Sequence, residues 1–167
     1  MTAKRLVNLK ALWRNSFSNM EFQPKNPHFK QTVLNKMQVN HFMNFVGFEP
    51  TDIEPGYVEG IIRLQEHHLQ QNGFVHGGVT STIADLVMGF AAYTLVPEGE
   101  GTVTSDLKVA YLRPGVGDTV IAKGRVIKAG NLLFYCEADI YTKSEKGEVL
   151  IARGYSTMCA VKYKVIE

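Results

Sequence analysis

Apolar residues follow a helical period most strongly between residues 79 and 95. One face of this stretch carries Val79, Ile83, Leu86, Val87, Phe90 and Thr94. The other sides are also small or apolar, with Ala84, Met88, Gly89, Ala91 and Ala92. A helix that is apolar nearly all round is buried inside its domain, so we predict a central helix over 79–95 that ends before Pro97.

Alternation of apolar and polar residues replaces the helical period after Gly101. Turn sequences rich in Gly, Pro and Asn separate the alternating runs, which cover 103–111, 119–128, 132–141 and 148–162. Two shorter runs lie between Phe48 and Leu64. We predict two short strands followed by four long ones in an antiparallel meander, a sheet of about six strands. One buried helix against one antiparallel sheet is an α+β architecture.

A second helix is predicted over residues 27–46, because Asn26-Pro27 is a favourable helix start and Gly47 a favourable stop. Residues 1–27 are expected to form a basic arm ahead of a single domain over 28–167. The first 20 residues include no acid and carry Lys4, Arg5, Lys10 and Arg14. A solvated or loosely docked arm is favoured over a mitochondrial transit peptide, because no cleavage pattern is evident.

Composition narrows the classes of protein that this chain can belong to. The 167 residues are 45% hydrophobic and 20% charged, as in a soluble globular domain, and no apolar run is long enough for a membrane span. With 18 Lys+Arg against 16 Asp+Glu, the net charge of +2 gives no nucleic-acid footprint. Cys136 and Cys159 have no metal-site or CxxC spacing, so free thiols and a cytoplasmic location are expected.

The candidate chemistry lies where the central helix begins. Gly77-Gly78 leaves backbone N–H groups accessible at a helix N-terminus, and such groups stabilise a carbonyl oxygen that becomes an oxyanion. Asp85 follows His76 by nine positions, about two turns along a helix that is otherwise apolar. A structural salt bridge or cap is the alternative interpretation of Asp85. The glycines two turns away favour a carboxylate that faces a substrate site.

This constellation resembles a known family. The run Gly73-x-Val75-His76-Gly77-Gly78-Val79, then Asp85 and a long β region, is similar to acyl-CoA thioesterases of the hotdog fold, in particular the PaaI-like (phenylacetic acid degradation) group. The resemblance covers about residues 28–163. It implies a long central helix wrapped by a curved antiparallel sheet.

The resemblance also implies roles for particular residues. Asp85 would act on the thioester carbonyl, as nucleophile or as general base on water. The Gly77 N–H would polarise that carbonyl, and Gly78 would allow close approach. Gln70 stands where many members have Asn, and its amide would orient the thioester or the attacking water.

The resemblance also implies two supporting roles, one in holding water and one in fixing the loop before the helix. A hydroxyl that holds water in some members falls on Thr104 or Ser105. His76 is expected to fix its loop by hydrogen bonding rather than to transfer protons.

Coenzyme A would be part of the substrate, so no separate cofactor is expected. Five residues at strand ends or in strands stand where the family contacts the nucleotide portion: Arg113, Lys128, Gly130, Asn131 and Arg153. Each alone could be a solvated surface group, and two or three of them are expected to touch coenzyme A. The acyl group is expected against apolar residues such as Val79, Ile83, Met88 or Phe48.

Other reaction classes fit less well. His67 and His68 adjoin in a predicted strand and would point to opposite faces, so no metal site is expected. The cysteines have no His at motif spacing, and no G-x-S-x-G is present. A hotdog enoyl-thioester hydratase is disfavoured, because those sites pair a carboxylate with a catalytic His in a different motif.

The prediction is therefore an acyl-CoA thioesterase for aryl- or medium-chain acyl groups. The alternative is a non-catalytic acyl-CoA binding or sensor module, which would bind without releasing thiol. A single curved sheet leaves an exposed edge, so self-association is expected. The resemblance implies a homodimer or tetramer in which Asp85 of one subunit faces Gln70 and Gly77 of the other.

Overall fold

The computed structural model describes residues 22–145 and 147–162. Most of the predicted arm, residues 1–21, lies outside the described residues. In chain order the elements are α1 (Phe29–Gln38), α2 (His41–Phe45), β1 (Phe48–Glu54), β2 (Tyr57–Arg63), a 3-10 turn (Glu66–His68), α3 (Gly77–Tyr93), β3 (Glu100–Tyr111), β4 (Thr119–Ala129), β5 (Leu133–Ser144) and β6 (Gly147–Lys162).

Within the described ranges, six antiparallel strands form one sheet in the order β1-β2-β4-β5-β6-β3. The predicted meander is therefore wrong, because β3 pairs with β6 at the edge while β4 lies in the middle. Residues 112–118, between β3 and β4, are too many for a tight hairpin turn. They run along the end of the sheet, where Leu112 donates to Ile151 and Asp118 accepts from Leu64.

Helix α3 crosses the inner face of this sheet and contacts all six strands. It begins at Gly77 and ends at Tyr93, two residues earlier at each end than predicted. Its buried residues are Thr80, Ile83, Ala84, Val87, Met88, Ala91, Ala92 and Tyr93. The prediction of a central buried helix against an antiparallel sheet is confirmed. No helix among the described residues has the length and apolar character to cross a bilayer.

The helix predicted over 27–46 is divided into α1 and α2. Asn40 causes the break, since its side-chain oxygen accepts a hydrogen bond from the Met43 N–H at 2.9 Å and caps a new helix. The first helix begins at Phe29 rather than at residue 27. Asn26 lies in the turn before this helix, and its side-chain oxygen accepts a hydrogen bond from the His28 N–H at 2.8 Å.

A close approach of α3 to the sheet depends on Gly124 in β4. A Cβ atom at Gly124 would lie 2.6 Å from the backbone carbonyl carbon of Val87, so the helix would have to move away. Overpacking of this kind costs about 1–3 kcal/mol, and we expect Gly124→Ala to lower the free energy of unfolding by at least that amount, as measured by urea denaturation.

Gly154→Ala is the matched control on β6. There the new Cβ would meet the methyl end of Met88 at 3.1 Å, and a flexible side chain can move. A smaller loss is expected than for Gly124→Ala. Equal losses for the two variants would contradict the close contact between helix and strand.

Candidate active site

The loop that leads into α3 is folded by its own backbone hydrogen bonds. Gln70 donates to Phe74 at 2.8 Å and accepts from Gly73 at 2.9 Å, and Gly73 adopts a φ of +77°. A left-handed φ favours glycine, so this position explains the Gly73 of the sequence motif. The loop ends where the His76 N–H donates to the His68 carbonyl at 2.9 Å. Gln70 and His76 are thus held at the two ends of one short turn.

His76 caps α3 with its side chain. Its Nδ1 atom accepts a hydrogen bond from the Gly78 N–H at 2.9 Å. A side-chain hydrogen bond that holds the start of the helix is of the kind predicted for His76. Among the described residues, the neighbouring Gly77 N–H has no hydrogen-bond acceptor. One N–H at the positive end of the helix therefore remains available to a ligand.

Tyr111 fixes the first turn of α3 from the side. Its hydroxyl donates to the Gly77 carbonyl at 3.0 Å and lies 2.5 Å from the Ser81 hydroxyl. No local sequence pattern singles out Tyr111, which stands at the end of an alternating strand. The contacts of Tyr111 arise from the packing of β3 against α3, two elements that are far apart in the sequence.

Asp85 is half-buried and hydrogen-bonded to a hydroxyl group. The Thr104 Oγ1 donates to Asp85 Oδ1 at 2.7 Å. Among the described residues no cation lies within ion-pair distance of this carboxylate, which counts against the structural salt bridge considered above. Of Thr104 and Ser105, the structure brings Thr104 to Asp85. Among the described residues no protein group donates to the second carboxylate oxygen, which can therefore accept from water or substrate.

A bulge in β3 allows two of its side chains, Thr104 and Tyr111, to contact α3 at different turns. Thr104 and Tyr111 are seven residues apart, and in a regular strand they would point to opposite faces. The pairing with β6 shifts register between Thr104 and Asp106, which adds one residue at Ser105. Both side chains therefore face the helix.

Asp85 lies at a partly apolar pocket of about 350 Å³, which we call the Asp85 pocket. Its walls come from the second half of α3, from β3, from β6 and from the region of α1 and α2, and include Leu86, Gly89, Phe90, Tyr93, Thr102, Val103, Thr104, Met158, Lys36 and Asn40. None of the four apolar residues predicted to contact an acyl group lines this pocket, and Val79 is half-buried against the core. Ile83, Met88 and Phe48 are instead buried in the core, where the inner face of the sheet encloses them.

A second pocket surrounds the start of α3, and we call it the Gly77 pocket. It measures about 500 Å³ and is lined by residues that include Gln70, His76, Gly77, Tyr111 and Arg113. Asp85 does not line it, because Gly77 and Asp85 lie eight residues apart, about 12 Å along the helix axis. Within one chain, the two parts of the predicted site therefore belong to separate pockets.

The chain matches the model of one protein family, described as the thioesterase superfamily, over residues 72–149. This segment contains His76, Gly77, Asp85 and Thr104. Human acyl-coenzyme A thioesterase 13 is 30% identical over 104 residues, which cover 62% of this chain and 72% of the human protein. The chain belongs to the thioesterase superfamily. Its reaction class is therefore thioester hydrolysis.

Solved structures agree with this thioesterase assignment. A thioesterase family protein from Silicibacter pomeroyi superposes with a TM-score of 0.79 at 29% identity, covering 81% of this chain and 99% of that one. The E. coli PaaI protein from the phenylacetic acid degradation operon gives a TM-score of 0.72 at 18% identity, covering 82% and 96%. At that identity the likeness concerns the fold alone. The thioesterase has the hotdog fold that its motif implied.

The residues predicted to contact coenzyme A are dispersed in the thioesterase chain. Arg113 lines the Gly77 pocket, where its guanidinium also donates to the Leu150 carbonyl at 3.2 Å. Gly130 and Asn131 line a third pocket of about 370 Å³ near Phe22, and Lys128 is exposed at the nearby end of β4. Arg153 lies on the outer face of the sheet and pairs with Asp139 at 2.5 Å. One chain does not bring these residues together.

The histidine pair is arranged differently from the prediction, whereas Cys136 and Cys159 are free thiols in strands, as predicted. His67 and His68 lie in a 3-10 turn rather than a strand, and their ring centroids are only 4.0 Å apart. Cys136 is buried, and burial raises the pKa of its thiol to about 12, which disfavours a thiolate nucleophile. Cys159 is a half-buried free thiol.

His68 supports the loop that carries Gln70 and His76. It is buried, its Nδ1 accepts from the Gln65 N–H at 3.0 Å, and its carbonyl accepts from His76. Burial, and secondarily the nearby His67, lower the pKa of this imidazole below its ordinary 6.5. The unfolded chain therefore binds a proton at a higher pH than the folded one. Stability is present above about pH 6.5 and is lost as the pH falls toward the lowered pKa.

We expect His68→Asn to flatten this pH dependence between about pH 5 and 7, because an amide oxygen can replace the Nδ1 acceptor and does not titrate. Urea unfolding at a series of pH values measures the effect. His67→Asn is the control and should change the slope less, since His67 is exposed. An unchanged slope in His68→Asn would show that another group causes the acid sensitivity.

Proposed function

We propose that the protein hydrolyses aryl- or medium-chain acyl-CoA thioesters to coenzyme A and a free carboxylic acid. The observation that carries this proposal is the Asp85 carboxylate, held by Thr104 beside an apolar pocket that can take an acyl group. The available N–H of Gly77 is the second part of the proposed chemistry. The name of the human relative, an acyl-coenzyme A thioesterase, supports the choice of thioester.

In the proposed reaction, the thioester carbonyl accepts a hydrogen bond from the Gly77 N–H as negative charge develops on its oxygen. Asp85 either removes a proton from water as that water attacks the carbonyl carbon or attacks the carbon directly to form an anhydride. In the first route the carbon–sulfur bond of the tetrahedral intermediate breaks, and the coenzyme A thiolate takes up the proton that Asp85 removed from water. In the second route loss of the thiolate yields the anhydride, which water hydrolyses to the free acid and the Asp85 carboxylate, and the proton released protonates the thiolate. Single turnover in ¹⁸O water distinguishes the routes, because only the anhydride route can carry a carboxylate oxygen of Asp85 into the acid.

We propose further that each site is shared between two copies of the chain. Asp85 and Gly77 line different pockets about 12 Å apart along one helix, which is too far for both to act on one carbonyl group. The edge strand β3, which carries Thr104, also exposes Val103, Leu107 and Tyr111. Pairing of two β3 edges would bury this apolar surface. Asp85 of one copy would then face Gln70 and Gly77 of the other.

The first functional test replaces the proposed catalytic carboxylate. Asp85→Asn keeps the size of the side chain and removes its charge, so we expect release of free thiol from octanoyl-CoA and phenylacetyl-CoA to fall by about 10²–10⁴-fold. Asp106→Asn is the control, an exposed acid on the same strand as Thr104. Wild-type rates in Asp85→Asn would refute the mechanism. Acyl-CoA binding by the wild type without thiol release would instead support the alternative binding or sensor module.

The second test concerns the shared site. Asp85→Asn and Gln70→Ala chains are produced separately and then together, so that mixed dimers form. In a mixed dimer one site carries both changes and the other carries neither, so random pairing should give about a quarter of the wild-type activity. A molar mass of at least two chains should be found by light scattering. Activity that stays at the average of the two parent variants would show that each site lies within one chain.

A further inference from the structure

Gly89 is placed unusually for a glycine. It lies in the interior of α3, one turn after Asp85, where glycine destabilises a helix by about 1 kcal/mol relative to alanine. Glycine in a helix interior is explained by a backbone conformation that only glycine adopts, by close packing, or by a function of the space beside it.

Neither the backbone nor the close packing requires glycine here. Gly89 is not among the described glycines with positive φ. A Cβ atom built on it would meet only the terminal methyl of Met158, at 3.8 Å, which is ordinary van der Waals contact. Gly124 differs, because its Cβ would lie 2.6 Å from the backbone of Val87. The helix could therefore accept a side chain at position 89 without moving.

The space that a side chain at position 89 would occupy belongs to the Asp85 pocket. Asp85, Gly89 and Tyr93 follow one another at intervals of four residues and line the same pocket. Along the helix axis, Gly89 is about 6 Å and Tyr93 about 12 Å from Asp85. Any side chain at position 89 would therefore occupy pocket space between the Asp85 carboxylate and Tyr93.

We propose that Gly89 determines the length of the acyl group that the enzyme hydrolyses. With glycine at this position, an acyl group whose carbonyl lies at Asp85 extends past the helix toward Tyr93, between the apolar walls of Leu86, Phe90 and Met158. The preferred substrates are then acyl groups that reach beyond about 6 Å from the carboxylate, such as medium-chain or arylalkyl groups. This inference rests on the proposed acyl-CoA hydrolysis.

The test compares Gly89→Ala and Gly89→Leu with the wild type on butyryl-CoA, octanoyl-CoA and phenylacetyl-CoA. Each variant serves as its own control, because butyryl-CoA needs the same carboxylate and N–H group but not the far half of the pocket. We expect Gly89→Leu to lower kcat/KM for octanoyl-CoA relative to butyryl-CoA on the order of tenfold or more, with phenylacetyl-CoA also reduced. Gly89→Ala should shift the same ratio less and raise the Tm.

The outcomes separate this inference from the proposed function. An unchanged ratio of octanoyl to butyryl hydrolysis in Gly89→Leu would overturn the role of Gly89 and leave the hydrolysis itself intact. Equal loss of all three substrates in both variants, or a lower Tm in Gly89→Ala, would also overturn it, because glycine would then be needed for folding or catalysis. If the wild type releases no thiol from any of the three, the proposed function fails instead.

Discussion

The contact between the α3 backbone at Val87 and Gly124 of β4 determines how the helix lies on the sheet. Because glycine allows this approach, Ala84, Val87 and Met88 face the strands and fill the core. Residues on the flank of the same helix, among them Asp85 and Gly89, are consequently turned toward β3 and remain accessible. The rotation of one helix thus separates the core residues from the residues that line the Asp85 pocket.

The same helix carries two potential functional groups at different positions along its axis. Its first turn offers the Gly77 N–H, and Asp85 offers a carboxylate two turns later. The bulge in β3 allows one strand to support both, through Tyr111 at the first turn and Thr104 at the carboxylate. The distance between them is the reason that a second copy of the chain is proposed to complete each site. A rigid helix cannot bring both groups to one carbonyl.

Much of the site could be predicted from local sequence, and the parts that could not depend on distant pairing. The glycines, His76 and Asp85 lie within ten residues, so their position on a helix start and a helix flank follows from helical geometry. Tyr111 and the choice of Thr104 over Ser105 depend on a register shift between β3 and β6, which no local pattern predicts. The expected acyl contacts Val79, Ile83, Met88 and Phe48 do not line the Asp85 pocket for a similar reason: hydrophobic residues suit core and pocket equally, and only packing separates them.

The sequence by itself determined most of the elements and the position of the candidate motif. Alternation identified the strands, the apolar helix was recognisable from its period, and the motif with Gly77-Gly78 and Asp85 carried the resemblance to thioesterases. Only the tertiary structure decided that β3 lies at the sheet edge beside β6, that Asn40 divides the first helical stretch, and that Gly77 and Asp85 open into different pockets. The physical reason is that periodicity reports which side of an element is buried, whereas strand partners and pockets arise from contacts between residues far apart in the chain.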